Sequence, residues 1–125
     1  MIRFVDELED GFGWQERAPM RRTSHALRAA GRVWVTDAIE GDGVEERIRA
    51  LGEPAGVIQL LDRHGRACEE LAARLGVPLL RVPVALPETP FDVLPVRRNR
   101  LWAEVALWWP ERRLLVCADA LGTLP

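Results

Sequence analysis

The sequence predicts an α/β fold in which a mixed sheet is covered by helices. Between Val33 and Val82, apolar β-branched runs alternate with segments of helical period. That order of strand, helix, strand, helix, strand indicates βαβ units and a largely parallel stretch of sheet. Beyond Phe91 the helical period disappears and three strand-like runs follow closely, the last two joined by the tight Pro110-Glu111 connection and therefore antiparallel. An apolar fraction of 48% and a charged fraction of 29% over 125 residues fit one globular domain, residues 1–125, able to bury a core without disulfides or metal.

The elements follow in chain order. Ile2 to Leu8 reads as an edge strand, and Asp10 to Arg22 as irregular, because Gly11, Gly13 and Pro19 break any period. Ser24 to Asp37 reads as a hairpin: His25-Ala26-Leu27-Arg28, a turn near Gly31, then Val33-Trp34-Val35-Thr36. Asp42 opens a helix with Glu45 three residues on, as in a capping box. Val44, Ile48 and Leu51 give that helix one apolar face, Glu45 and Arg49 pair on the other, and Gly52 ends it. Gly56 to Leu61 reads as a buried strand ending at Asp62. A second helix runs from about Arg66 to Leu75, with Ala67, Leu71 and Leu75 facing inward and Gly76 and Pro78 as the stop. Leu79 to Val82 is a short strand, and the tail strands are Phe91 to Val96, Trp102 to Trp109 and Arg113 to Cys117. Strand neighbours alternate faces, so at least one of Trp108 and Trp109 points away from the main core.

Composition narrows the function classes. A net charge of -2 gives no reason to expect a nucleic acid or an anionic membrane surface as partner. All 17 basic residues are Arg and none is Lys. Arg suits planar anions, but its scatter along the chain favours a bias of the coding sequence. The N-terminal run Met1 to Gly11 is acidic and lacks the basic-then-apolar order of a signal peptide. No apolar run approaches the ~20 residues needed to span a bilayer. The expected location is cytoplasmic, with Cys68 and Cys117 reduced, buried and too far apart for metal-type CxxC spacing.

Several pieces then fall in a suggestive order. Val33-Trp34-Val35-Thr36-Asp37 is followed by a Gly- and Asp-containing loop, a helix, the strand Gly56 to Leu61, and the loop Asp62-Arg63-His64-Gly65-Arg66-Ala67. A helix and Gly76-Val77-Pro78 come next. Later, Val105 to Cys117 reads as a hairpin that leads into Ala118-Asp119-Ala120-Leu121. From Ser24 to Leu121 this arrangement resembles the metallo-β-lactamase fold, specifically the N-terminal half and core of its four-layer αββα sandwich. The resemblance implies an early strand ending in Asp (here Asp37), a His-x-His-x-Asp-His metal loop after the next strand, a further His before the late hairpin, and a bridging Asp after it. It also implies that most of the second half of the fold is missing from this chain.

Carried over residue by residue, the metal positions are mostly replaced. Asp62 stands at the first His of the loop, His64 keeps the second, Arg66 replaces the Asp and Ala67 the last His. Arg100 falls at the next His, and Asp119 matches the bridging Asp. Asp62, His64 and Asp119 remain as candidate ligands, with Asp37, Arg66, Ala67 and Arg100 as the vestigial pocket. A catalytic zinc usually takes three protein ligands and an open position, and two guanidiniums beside such a site repel a dication. No cofactor is therefore expected, the alternative being one weakly held divalent metal such as zinc. Arg66 and Arg100 are read as stand-ins for metal charge, each able to pair with Asp62 or Asp119.

Blander readings stay open: Asp62 as the cap of the following helix, His64 as a polar loop residue, Asp119 as a structural acceptor, and both arginines as solvated. Three functions remain in play. The first is a non-catalytic binding or assembly protein, with homodimerisation through an uncovered sheet face or edge. The second is a metal-dependent hydrolase with a reduced single-metal site. The third is a small-anion binder using Arg66, Arg97, Arg98 and Arg100.

Overall fold

The computed structural model describes residues 2–17 and 20–118. They form an α/β structure with one six-stranded mixed sheet, one three-stranded antiparallel sheet and two α-helices. In the first sheet β1 (Ile2–Leu8), β2 (Gly11–Glu16), β3 (Thr23–Ala29) and β4 (Arg32–Thr36) make an antiparallel meander. Helix α1 (Val44–Leu51) then crosses to β5 (Glu53–Gln59), and α2 (Cys68–Leu75) crosses to β6 (Leu79–Arg81). Both crossovers give parallel pairs, as helical connections do. The second sheet orders β7 (Asp92–Arg98), β8 (Ala103–Trp109) and β9 (Leu114–Val116), with a 3-10 turn at Pro110–Arg112 before β9.

Alternation along each strand builds three layers. Ala26, Val33, Val35 and Val57 face α1 and α2, where they pack with Ile48, Leu71 and Leu75. Their neighbours Leu27, Trp34 and Ile58 face the other way, against Val105, Leu107 and Trp109 of the second sheet. Ala55 is an extra residue in the β4–β5 register, which steps from Val33–Pro54 to Trp34–Gly56. This bulge lets Ala55 join the inter-sheet core although Val57 joins the helix-side core. The sheets are stitched where the chain leaves β5: Leu61 bridges Glu104, and the Asp62 N–H donates to the Ala103 carbonyl at 2.9 Å.

Three expectations are corrected. The predicted single mixed sheet is two sheets, because β7–β9 stacks on the first sheet instead of extending it. Residues 11–16 are a buried strand, not irregular. Their glycines are there for close approach: a Cβ on Gly11 would lie 2.3 Å from the Ala26 carbonyl oxygen, and one on Gly13 would lie 2.9 Å from the His25 ring. Asp42 does not cap α1 either; Gly43, at φ +81°, occupies the N-cap with no side-chain hydrogen bond. The Glu45–Arg49 pair does form, at 3.6 Å. Trp109 is buried in the inter-sheet core while Trp108, on the opposite face of β8, is only half-buried. Cys68 is buried, Cys117 is half-buried, and both are free thiols. Among the described residues no helix is long and apolar enough to cross a membrane.

Candidate functional site

Parallel strands β4 and β5 both end at one side of the sheet, the usual place for a site in such folds. Asp37 follows β4 directly and is 4% exposed. Its backbone sits at φ 45°, a left-handed conformation that Asp tolerates better than most residues. That turn aims the carboxylate across to the end of β5. There Oδ1 accepts the Leu60 N–H at 2.7 Å, and Oδ2 lies 2.8 Å from His64 Nδ1.

The segment after β5 brings His64 and Arg66 onto the same spot. The His64 N–H donates to the Leu61 carbonyl at 2.9 Å, closing a turn that points the ring inward. Arg66, also left-handed at φ 45°, extends its guanidinium beneath β3 and β4. Nη1 donates to the carbonyls of Thr23 at 3.0 Å and Asp37 at 2.8 Å, and Nη2 lies 3.3 Å from His64 Nε2. A guanidinium is donor-only, so the ring nitrogen facing it is an acceptor. This places the imidazole proton on Nδ1, from which it is donated to Asp37. Both ring nitrogens of His64 are thus engaged within the protein.

A second ring of buried polar groups holds Asp37 in place. Ser24 is fully buried; its Oγ donates to the Asp37 carbonyl at 2.7 Å and accepts the Ile39 N–H at 3.0 Å. The Trp14 indole donates to the Ile39 carbonyl at 3.0 Å. Gln59 Nε2 donates to the carbonyls of Leu61 and Asp62, at 3.0 and 3.1 Å, and so fixes the start of the His64 segment. Cys68 opens α2 with Sγ 3.6 Å from the His64 carbonyl, and burial pushes its thiol pKa up to about 11. A thiol held protonated in this way is not a nucleophile at neutral pH.

The predicted site residues therefore divide. Asp37, His64 and Arg66 meet. The Asp62 side chain is exposed, and only its main chain takes part, so it neither joins His64 nor caps α2, whose N-cap is Ala67. Ala67 is half-buried and donates its N–H to the Ala38 carbonyl at 3.0 Å. Arg100 is exposed at the β7–β8 tip and makes no ion pair among the described residues, so its expected pairing with Asp62 does not occur. Asp119 lies outside the described residues. Among those described, no three His, Cys, Asp or Glu side chains are placed to hold a metal ion. Ser24, Trp14 and Gln59 went unnoticed in the sequence, where they stand at ordinary strand positions.

No known family model and no curated protein matches the chain.

Proposed function

We propose that this chain is a metallo-β-lactamase-like protein in which the Asp37–His64–Arg66 cluster takes the place of a metal centre, and that it acts by binding or assembly. The observation that carries this reading is the Arg66 guanidinium 3.3 Å from His64 Nε2. In the resembling fold that nitrogen's lone pair would face a cation; here the facing cation is a fixed side chain. Adding a dication would require Arg66 to leave, and would set two positive centres a few ångströms apart. The three layers of helices, mixed sheet and second sheet are in keeping with the first three layers of an αββα sandwich. The described residues do not fit a catalytic zinc, since no three His, Cys, Asp or Glu side chains among them converge to supply its ligands.

Assembly is assigned to the outer face of the second sheet. Trp108 pairs with Leu115 across β8 and β9, Leu94 lies opposite Ala106 on β7 and β8, and Leu94 and Leu115 are each 41% exposed. A homodimer through this face would cover them. Elemental analysis of protein dialysed against zinc, then against metal-free buffer, tests the first part, and the expected result is well below one equivalent. One tightly held equivalent would favour the reduced hydrolase site instead. Light scattering tests the second part: a dimer that Leu94→Arg converts to monomer is expected, and a monomer at high concentration counts against it.

A further inference from the structure

Among the described residues some arginines are paired with a carboxylate, and others, such as Arg3 beside Gln15 and Arg32 over Trp34, are not. Arg22, Arg47, Arg74 and Arg112 each sit against a carboxylate (Glu16, Glu7, Glu40 and Asp10). The β7–β8 tip gathers four of the second kind at one place. Arg97, Arg98 and Arg100 come from the tip itself and Arg63 reaches over from the segment after β5, and none of the four has a carboxylate partner among the described residues. Between them stands Leu101, 79% exposed.

This tip is built, not frayed. Asn99 Oδ1 accepts the N–H groups of Leu101 at 2.8 Å and Trp102 at 2.9 Å, and the Asn99 N–H donates to the Trp102 carbonyl at 2.9 Å. Arg63 donates to the Leu101 carbonyl at 3.0 Å and lies 4.1 Å over the Trp102 ring, while Arg97 lies 5.7 Å from the same ring. The Trp102 indole is pinned in turn to the buried Glu104 at 2.9 Å. Arg98 donates to the Val82 carbonyl at 3.0 Å. Each guanidinium has five N–H donors, so most of the donors at this tip remain to be matched, on side chains whose stems are already positioned.

We infer that the β7–β8 tip is a docking surface for an acidic peptide segment that carries an apolar residue. Its carboxylates would take the guanidinium forks of Arg63, Arg97, Arg98 and Arg100, and its apolar side chain would cover Leu101. A nucleic acid fits less well. Base stacking needs an open aromatic face, whereas Arg63 covers one face of Trp102. This inference rests on the reading that the chain works by binding, and supplies the partner.

The test is fluorescence anisotropy with a labelled oligoglutamate peptide bearing one central leucine, using the full chain at low ionic strength. Binding is expected that weakens steeply with salt. It should fall about tenfold in Arg97→Glu/Arg100→Glu, roughly the loss of two rim charge pairs, and less in Leu101→Ser. Arg32→Glu, an exposed charge near Trp109 at the opposite end of β8 from the tip, should leave it unchanged. Because these positions are exposed, circular dichroism should show all the variants folded. Absence of binding, binding indifferent to the Arg97/Arg100 reversal, or tighter capture of a labelled oligothymidylate would each overturn the inference. Zinc uptake is measured separately, so a protein that takes no zinc and ignores the peptide would sink this inference alone.

Discussion

Replacing Asp37 tests how much of the site depends on a single carboxylate. Its oxygens accept the Leu60 N–H at 2.7 Å and the His64 ring N–H at 2.8 Å, in a position 4% exposed. In Asp37→Ala the Leu60 N–H is left buried without its acceptor, a cost of about 1–3 kcal/mol, and His64 loses a charge-assisted bond of about 1.5–3 kcal/mol. The left-handed backbone at φ 45° adds about 1 kcal/mol when Ala replaces Asp. Allowing for relaxation and water entry, a total near 3–5 kcal/mol is expected, a large share of a stability of about 5–15 kcal/mol. Asp37→Asn is the discriminating variant. Its Oδ1 can still accept from Leu60, but its amide N–H₂ faces His64 Nδ1 and forces the proton to Nε2, against the Arg66 donor. That clash of donors should cost about 1–3 kcal/mol. Urea unfolding followed by circular dichroism measures both. If Ala costs under about 1 kcal/mol, or if Asn is neutral, the hydrogen-bond pattern assigned to this site is wrong.

Three further outcomes are expected. Arg66→Asp combined with Ala67→His restores two donor positions and removes the facing cation, so this variant should take up zinc in an elemental assay while Ala67→His alone should not. Cys68 should resist iodoacetamide at pH 8 in the native state and react once unfolded. Because its folded pKa, about 11, lies above the ~9 of an unfolded thiol, unfolding releases a proton between those values; stability should fall across that window by at most about 1.4 kcal/mol per pH unit, which urea melts would show. Gly11→Ala should destabilise by about 3 kcal/mol, since its Cβ would meet the Ala26 carbonyl oxygen at 2.3 Å. Gly31→Ala, with open space but φ +77°, should cost only about 1 kcal/mol, and equal effects in the two variants would refute the packing argument.

Much of the fold is legible because periodicity reports burial. Val44 and Ile48 mark the buried face of α1, Leu71 and Leu75 that of α2, and the Val33–Thr36 run announces a central strand. Strand β2 is hidden because glycine usually signals a break, and only the tertiary contact with Ala26 and His25 explains Gly11 and Gly13. The layering is hidden too: nothing local in Val105-Ala106-Leu107 says whether its sheet extends the first or stacks on it. His64 and Arg66 stand two residues apart and Asp37 ends a strand, so their nearness follows from the βαβ order. The roles of Ser24, Trp14 and Gln59 are set by main-chain groups they meet only after folding, and side-chain identity alone gives no hint of that. Asp62 misleads for the opposite reason, since its main chain stitches the two sheets and frees its side chain to face water.

The most direct measurement is a long-range nitrogen–proton NMR spectrum of the imidazoles, recorded before and after one equivalent of zinc. His64 should show a proton fixed on Nδ1, an unprotonated Nε2, and no change on adding the metal. A ring protonated on Nε2, or a zinc-induced shift of the Nε2 resonance, would mean that Arg66 does not hold the place assigned to it.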